Sequence, residues 1–193
     1  MLDNLDHKRI ILASQSPRRH MLLKGLDLDF DIEVREIEEV YPESLEVEKV
    51  AGYLADLKAQ AWEGEIQNDT IVITSDTVVL FDGKILGKPQ TPEEGIAMLR
   101  QMSGKQHTVI TGVCLATNSG RKTFSDHTQV TFSTMTDAEI EYYVEKYRPL
   151  DKAGSYGAQE FIGYIGIEKL EGSYFNVMGL PVHRLWQELK ALV

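Results

Sequence analysis

The sequence predicts a mixed α/β fold, in which a twisted sheet carries helices on its faces. Helical and strand-like segments alternate in the first part of the chain, whereas hairpins dominate the later part. Both patterns fit one mixed sheet that buries one side of each flanking helix. With 193 residues, of which 42% are hydrophobic, the chain can bury the core of one domain or of two closely joined lobes.

The first strand and the first helix are predicted in IILASQSPRRHMLLKG, residues 10–25. The first four residues form an apolar run that is typical of a buried strand. Ser16 is suited to cap a helix with its side-chain oxygen, and Pro17 suits the first helical position because it has no N–H to lose. The helix is expected to end at Gly25. Its core-facing side chains are expected to be Met21, Leu22 and Leu23.

Periodicity and turn residues predict the remaining elements. A threonine followed three residues later by a glutamate predicts capped helix starts at Thr91 and Thr136. Asp82-Gly83 and the residues around Gly120 predict the turns of two hairpins. Further helices are predicted at residues 44–62, 91–102, 136–147 and from residue 181 onward. Further strands are predicted at residues 30–34, 70–81, 84–86, 107–117 and 122–133.

The composition narrows the classes of function. A formal net charge of −10 argues against nucleic acid held on a broad basic face, because such binding needs many Lys and Arg contacts to phosphates. No apolar run approaches the roughly 20 residues that span a bilayer, and the N-terminal MLDNLDHKR is too polar for a signal peptide. We therefore expect a cytoplasmic protein without a membrane or nucleic-acid partner. Cys114, the single cysteine, is expected to be a buried filler of the core.

Arg18 and Arg19 occupy the first turn of the first predicted helix, where unpaired N–H groups already carry about half a positive charge. Two further cations there cost stability unless an anion balances them. A phosphate is suited to this position because backbone N–H groups, the helix dipole and guanidinium groups all point at it. The alternative is a solvated helix start whose arginines pair with some of the 30 acidic side chains. Residue spacing alone leaves both interpretations open.

Asp76 is the most informative carboxylate, because it lies inside the apolar stretch IVITSDTVVLF. Its burial is costly unless the carboxylate meets a cation, a metal or good hydrogen-bond donors. The alternative is a strand-edge Asp whose side chain bonds to nearby backbone or to the hydroxyls of Ser75 and Thr77. Lys88, held before Pro89 in a short rigid loop, could face a phosphate, although exposed loop lysines are common.

Two further segments give weaker signals. In DKAGSYGAQE, residues 151–160, small residues and two glycines would let the chain approach a ligand closely. Gln159 could read a base edge through its paired amide donor and acceptor, and a plain turn is the alternative. Glu38 and Glu39 form part of an acidic run before a helix, which is typical of a solvated face.

Six separated motifs occur in order over about residues 9–190 and together resemble the Maf family. They are the Ser-Pro-Arg-Arg helix start, SDT at 75–77, GKP at 87–89, SGKQHTVITGV at 103–113, DKAGSYGAQ at 151–159 and EGSYFNVMGLP at 171–181. Members of the family are nucleoside triphosphate pyrophosphatases, once described as septum-formation inhibitors. The match indicates a single Maf-like domain over residues 1–193, with residues 1–8 as a polar N-terminal extension.

The resemblance implies a fold related to the inosine triphosphate pyrophosphatases, with two lobes flanking a deep cleft. It also implies hydrolysis between the α- and β-phosphates, which yields a nucleoside monophosphate and pyrophosphate and uses a divalent cation, Mg²⁺ or Mn²⁺. Asp76 corresponds to the family's proton acceptor and Glu39 to its metal-associated acid. Both carboxylates could share the metal ion, so the division of roles between them stays open. The triphosphate contacts that the resemblance implies are Arg18, Arg19, Lys58 and Lys88.

Three positions favour the dTTP/UTP pyrophosphatase branch of the family, and they are Arg18, Thr77 and Gln159. The branch that acts on 7-methylguanosine triphosphate tends to have Trp, Gln and Glu there, and it is one alternative. Another is a non-catalytic nucleotide-binding regulator of cell division. The favoured activity would also suit the clearance of modified nucleotides.

Glu160-Phe161-Ile162 departs from the glycine-rich continuation of many relatives, and the added side chains could narrow the base pocket. Relatives often pair as homodimers, and the sequence leaves the oligomeric state open.

Overall fold

The structure, a computed structural model, describes residue 5 and residues 7–192. The strands are β1 Arg9–Leu12, β2 Asp31–Ile32, β3 Thr70–Phe81, β4 Lys84–Leu86, β5 Gln106–Thr117, β6 Gly120–Phe132 and β7 Ile167–Glu171. The helices are α1 Pro17–Lys24, α2 Val50–Gln60, α3 Pro92–Met102, α4 Asp137–Tyr147, α5 Phe161–Gly166, α6 Tyr174–Met178 and α7 Val182–Lys190. Short 3₁₀ turns at Val47–Lys49 and Ala153–Ser155 precede α2 and α5.

The strands of the described residues form one mixed sheet. They run in the order β2-β1-β3-β5-β6-β7, and β4 pairs with β3 beside this path. Strand β1 is parallel to β2 and to β3, whereas β3 with β4 and β6 with β7 are antiparallel. The parallel pairs come from N-terminal segments that helices separate, as parallel connections require. The predicted α/β class, a mixed sheet with flanking helices, is therefore confirmed.

Several element boundaries differ from the predictions. Strand β2 has two residues, and α2 begins at Val50 after a 3₁₀ turn rather than at residue 44. The sequence pattern does not predict α5, β7 or α6, which have six, five and five residues. Segments this short contain fewer than two helical turns or too few alternations to show a period, so local patterns miss them.

The helix starts predicted from capping residues and proline are confirmed, although one cap differs in detail. The Thr91 and Thr136 hydroxyls accept the N–H groups three residues later, at 3.2 and 3.3 Å. Helix α1 begins at Pro17, but the Ser16 hydroxyl makes no capping hydrogen bond. Instead, the N–H of Ser16 donates to Ser14 Oγ (3.2 Å). The turn before α1 is therefore stabilised from Ser14, which the sequence pattern does not single out.

Helix α1 buries a narrower face than the sequence predicts. Leu22 and Leu23 are 7% and 0% exposed, but Met21 is 55% exposed, so its predicted place in the core is wrong. Each helical residue turns the side-chain direction by about 100°, so Met21 lies about 200° from Leu23. A helix that is covered on one side cannot bury three consecutive residues.

The chain divides into two compact units whose boundaries fall inside β3, β5 and β6. The first unit holds the chain up to Asp76, Thr111–Asp126 and the chain from Gly179 onward. The second unit holds Thr77–Ile110 and His127–Met178. Two units agree with the expected two lobes, whereas the cleft and the single Maf-like domain stay predictions. Residues 1–4 and 6 of the predicted polar extension lie outside the described residues.

Small residues bring α2 close to the sheet in the first unit. A Cβ atom added to Gly112 in β5 would lie 2.3 Å from the backbone C and O atoms of Ala51 in α2. The backbones of the strand and the helix therefore touch at this point. An apolar cluster surrounds α2 and comprises Ile11, Ala55, Ala59, Trp62, Val72, Cys114 and Ala116. Cys114 is fully buried, as predicted, and burial raises the pKa of its thiol to about 11.

The second unit has an apolar core of its own, built mainly from α3, α4, β6 and the second half of β3. His107 lies within it, edge-on to the rings of Phe132 and Tyr156. His107 Nε2 lies 2.7 Å from the Tyr156 hydroxyl. Burial lowers the pKa of His107 to about 4, so the imidazole is neutral at pH 7 and packs as part of the core.

Replacing Gly112 with Ala is expected to lower the free energy of unfolding by about 1–3 kcal/mol, because the added methyl group must push α2 away from β5. Urea unfolding followed by circular dichroism measures the change. Gly87→Ala is the matched control, since a Cβ added to Gly87 meets no atom within 4 Å. Its free energy of unfolding is expected to change by less than about 0.5 kcal/mol. Equal destabilisation by both substitutions would contradict close packing as the cause.

Candidate active site

Alternate residues of β3 face helix α2 in the first unit. The Thr74 hydroxyl donates to the Ala55 carbonyl oxygen (2.6 Å), and two residues later Asp76 Oδ1 accepts from Lys58 Nζ (2.5 Å). Positions two apart share one face of a strand, and positions three apart share one face of a helix. The register of β3 against α2 therefore brings the Asp76 carboxylate and the Lys58 ammonium together.

Lys58 holds two carboxylates at once. Its Nζ lies 2.5 Å from Asp76 Oδ1 and 3.1 Å from Glu39 Oε1. The side chains of Lys58 and Asp76 are only 17% and 13% exposed, whereas that of Glu39 is 46% exposed. Lys58 thus supplies the cation that the apolar surroundings of Asp76 require. Through the same ammonium, Glu39 lies close to Asp76 rather than on a separate solvated face.

Ser75 lies on the opposite face of β3 and is tied to α1. Arg19 Nη1 donates to the Ser75 carbonyl oxygen (2.7 Å), and Arg19 Nε donates to the Gly179 carbonyl oxygen (2.8 Å). The Ser75 hydroxyl also donates to the Gly179 carbonyl oxygen (3.3 Å). One guanidinium group therefore joins α1, β3 and the segment that precedes α7.

Arg19 belongs to the same group of charges as Asp76. Burial lowers the pKa of Arg19 from its usual value, while the negative charges of Asp76 and Glu39 raise it and the positive charge of Arg18 lowers it. The guanidinium stays protonated, because an arginine does not lose its proton in proteins. With Lys58, the cations of this group outnumber its carboxylates, although the whole chain has a net charge of −10.

The carboxylates of Asp76 and Glu39 suit a metal site that a ligand completes. In the part of the chain that the structure describes, no three His, Cys, Asp or Glu side chains gather closely enough to hold a metal ion. Mg²⁺ is commonly bound through one or two carboxylates, while water and substrate phosphates supply its other oxygens. Asp76 and Glu39 already share one cation, Lys58. The two carboxylates therefore fit Mg²⁺ or Mn²⁺ that arrives with a phosphorylated ligand.

Lys88 and Gln159 lie in adjoining loops of the second unit. The N–H of Gly154 donates to the Gly87 carbonyl oxygen (3.1 Å), which joins the segments that contain GKP and KAG. Lys88 is exposed. Gln159 Oε1 is buried and has no hydrogen-bond partner in the part of the chain that the structure describes. Such an acceptor is costly unless a ligand or water supplies a donor.

The predicted site residues fall into two groups. The first unit contains Arg18, Arg19, Glu39, Lys58 and Asp76. The second unit contains Thr77, Lys88 and Gln159. Ion pairs and electrostatic contacts connect the members of the first group, and a backbone hydrogen bond connects the loops of Lys88 and Gln159. Thr77 follows Asp76 directly in β3. The roles of these residues in catalysis, metal binding and specificity stay predictions.

Two residues of the site's surroundings, Gly179 and Asn176, are not predicted from the sequence. Gly179 contributes its carbonyl oxygen to Arg19, and a backbone acceptor leaves no side-chain signal. Asn176, in the same EGSYFNVMGLP motif, donates from Nδ2 to the Val109 carbonyl oxygen (3.0 Å) and to Thr128 Oγ1 (2.9 Å). The position of Asn176 between the apolar residues Phe175 and Val177 is the signal that could have indicated these buried hydrogen bonds.

Comparison with known proteins identifies the family. The family model described as Maf-like protein matches residues 9–192. The chain belongs to the Maf family. A dTTP/UTP pyrophosphatase of Porphyromonas gingivalis is 55% identical to this Maf chain over 193 residues, covering 98% of the chain and 97% of the relative. A dTTP/UTP pyrophosphatase of Phocaeicola vulgatus is 50% identical and covers 100% of both chains. The predicted family is therefore confirmed.

The fold of this Maf chain is similar to that of the Staphylococcus aureus Ham1 protein. The TM-score is 0.56 at 16% identity, over 95% of this chain and 99% of the other. At this identity the likeness concerns the fold alone, and it agrees with the fold relationship that the resemblance implies. Within the described residues, no helix combines the length and the apolar character needed to cross a membrane.

Replacing Lys58 with Met is expected to lower the free energy of unfolding by about 1–3 kcal/mol at pH 7, because Asp76 then keeps a nearly buried carboxylate without its cation. The double substitution Lys58→Met with Asp76→Leu removes both charges and is expected to recover part of this loss. Urea unfolding of each variant measures these values.

Lys49→Met is the control for this experiment, because the Lys49 side chain is 63% exposed and pairs with Glu46 on the surface. Its free energy of unfolding is expected to change by less than about 0.5 kcal/mol. A double variant that is less stable than Lys58→Met would show that the Asp76 carboxylate does not depend on the Lys58 ammonium.

Proposed function

We propose that this Maf chain is a nucleoside triphosphate pyrophosphatase that hydrolyses dTTP and UTP to the nucleoside monophosphate and pyrophosphate. The observation that carries the proposal is the sharing of the Lys58 ammonium by Asp76 and Glu39, with Arg19 beside them. A triphosphate brings about four negative charges, so cations must surround it before a nucleophile can approach. Relatives named dTTP/UTP pyrophosphatase, 50% and 55% identical over nearly the whole chain, support the choice of reaction.

Asp76 is proposed to orient and deprotonate the attacking water. Lys58 holds its Oδ1, which fixes the direction of the carboxylate and assigns the water to Oδ2. Arg19 already bonds to two carbonyl oxygens, so its guanidinium is placed before the ligand arrives. The proposed triphosphate contacts, which neutralise the charge that develops on the phosphoryl oxygens, are Arg18, Arg19, Lys58 and Lys88.

Asp76 and Glu39 would hold Mg²⁺ or Mn²⁺ beside the triphosphate. The ion would screen the phosphate charges and polarise a phosphoryl oxygen. Asp76 is nearly buried and held by Lys58, whereas Glu39 is half-exposed and can adjust to an arriving ion. These environments favour Glu39 as the metal-associated acid and Asp76 as the proton acceptor.

Gln159 is proposed to read the pyrimidine base. Uracil and thymine present a carbonyl oxygen beside an N3–H group, which matches the N–H and C=O of a side-chain amide. The buried Gln159 Oε1 requires a donor, and the N3–H group of either base supplies one. Arg18 and Thr77 support the same choice over 7-methylguanosine triphosphate.

A cytoplasmic location, a homodimer and the clearance of modified nucleotides are further proposals that accompany this function.

Purified protein with Mg²⁺ is expected to release pyrophosphate, and no orthophosphate, from UTP and dTTP. Asp76→Asn is expected to lower kcat by about 10²–10⁴-fold, because an amide cannot accept the proton. Asp69→Asn, which changes an exposed carboxylate just before β3, is the control and is expected to keep full activity. Orthophosphate release, or turnover of 7-methyl-GTP without turnover of UTP, would contradict the proposal. Tight binding of UTP without turnover would favour the non-catalytic regulator.

Removal of divalent metal with EDTA is expected to abolish pyrophosphate release, and Mg²⁺ or Mn²⁺ is expected to restore it. Glu39→Gln is expected to raise the Mg²⁺ concentration for half-maximal activity at least about tenfold, because a carboxylate near the ion is lost. Glu38→Gln removes the neighbouring exposed carboxylate and is expected to leave that concentration unchanged. Full activity in EDTA would rule out a metal requirement.

A further inference from the structure

Tyr143, Glu160 and Lys152 form a hydrogen-bonded group in the second unit. The Tyr143 hydroxyl donates to Glu160 Oε2 and accepts the N–H of Gly157 (3.1 Å). Lys152 Nζ lies 3.2 Å from Glu160 Oε1 and 2.7 Å from Asp151 Oδ1. Both oxygens of the Glu160 carboxylate are therefore held, one by a phenol and the other by an ammonium.

This group is too buried to be an ordinary surface ion pair. The side chains of Lys152 and Glu160 are 10% and 20% exposed, and Tyr143 is fully buried. Burial, together with the bond to Glu160, raises the pKa of Tyr143, so the phenol keeps the proton that it donates. Withdrawing charges from water is costly, and only close pairing offsets that cost. A buried group of this kind holds the chain segments that supply its members.

The segment held in this way is the loop of residues 152–160. Lys152 stands at its beginning, Gly157 near its middle and Glu160 at its end, while α4 supplies Tyr143. Gln159, which is proposed to read the base, is the residue directly before Glu160. The backbone that carries Gln159 is therefore held on both sides by bonds to one phenol.

The Glu160 carboxylate and the Gln159 amide meet at Gly157. A Cβ atom added to Gly157 would lie 2.9 Å from Glu160 Oε2 and 3.1 Å from Gln159 Nε2. Only a glycine lets both side chains approach this point. Gln159 Oε1 has no hydrogen-bond partner among the described residues, and the Nε2 end of the same amide lies beside Gly157.

We propose that Glu160 is a positioning residue for pyrimidine recognition, because its bonds to Tyr143 and Lys152 hold the loop that presents the Gln159 amide. This inference rests on the proposed function and adds the residues that prepare its base-reading side chain. A prepared amide loses less conformational freedom when a base binds, which strengthens binding without contact to the reacting phosphates. Loss of the Glu160 carboxylate therefore weakens binding of the base and leaves the chemical step unchanged.

Steady-state kinetics with UTP test this separation of binding from chemistry. Glu160→Ala is expected to raise KM about tenfold and to leave kcat within about twofold, because the Gln159 amide must then be ordered when the base binds while the reacting phosphates keep their contacts. Tyr143→Phe is expected to act in the same direction. Glu160→Gln can still accept from the Tyr143 hydroxyl and is expected to keep most of the affinity. A fall in kcat with an unchanged KM would overturn the proposal.

Arg100→Gln is the matched control. Arg100 pairs with Asp137 (2.6 Å) and Glu141 (2.8 Å), so the substitution breaks ion pairs between α3 and α4 in the same unit, and none of the bonds described above for Tyr143, Lys152 and Glu160 involves Arg100. It is expected to leave the KM for UTP unchanged. An increase in KM equal to that of Glu160→Ala would show that general loosening of the unit is the cause, and would overturn the positioning role.

A double-mutant cycle shows whether Glu160 acts through Gln159. If it does, Gln159→Ala combined with Glu160→Ala raises the KM for UTP no further than Gln159→Ala alone. If the two substitutions raise the KM for UTP by factors that multiply, Glu160 does not act through Gln159, and the proposal would be overturned.

A spectroscopic measurement that needs no substrate distinguishes failure of this inference from failure of the proposed function. In nucleotide-free protein labelled with ¹⁵N, the side-chain amide signal of Gln159 is assigned by its loss in Gln159→Ala. It is expected to shift or broaden in Glu160→Ala and to stay in place in Arg100→Gln. An unchanged signal in Glu160→Ala would overturn the positioning role. If the signal shifts but the wild-type protein releases no pyrophosphate from UTP, the proposed function fails while the positioning of Gln159 is supported.

Discussion

The ion pair between Lys58 and Asp76 is the contact on which the first unit's site depends. Asp76 lies in an apolar stretch of β3, and a carboxylate withdrawn from water needs a cation close by. Lys58 reaches it because α2 packs directly on the sheet, where Ala51 touches the backbone of β5 at Gly112. The close approach of α2 to β5 at Gly112 is thus consistent with a lysine of α2 that reaches the sheet. The same ammonium brings Glu39 to the group, so one lysine gathers both acids of the proposed reaction.

An acidic chain can contain a locally positive cluster such as Arg19 and Lys58, because the net charge and the individual ion pairs act over different distances. The net charge of −10 acts at long range and is screened by salt, whereas Arg19 and Lys58 act on their neighbours at contact distance. Arg19 also has a structural role, which its position at a helix start does not indicate. Its bonds to the Ser75 and Gly179 carbonyl oxygens join three chain segments. The carbonyl oxygens of Ser75 and Gly179 therefore stabilise the Arg19 guanidinium, as a bound phosphate also would.

The proposed site residues of the two units are positioned by different structural means. In the first unit, the carboxylates and most of the cations are placed by the packing of helices on strands. In the second unit, the proposed reading of the base depends on a loop, and a loop presents a side chain in one orientation only when its backbone is held. Tyr143 and Lys152 hold the Glu160 carboxylate and so meet this requirement with buried hydrogen bonds. Lys88 is the one proposed phosphate contact that the second unit contributes.

The sequence by itself determined the elements and motifs whose signals lie within about four residues of each other. Helix starts at Pro17 and Thr136 are examples, because a proline or a capping hydroxyl acts on the next turn of the chain, and the motifs that identify the Maf family are equally local. Only the tertiary structure decided that Lys58 pairs with Asp76, and that Met21 faces solvent. The physical reason is that a side chain's burial and partners depend on which distant segment covers it, and no local pattern encodes that segment.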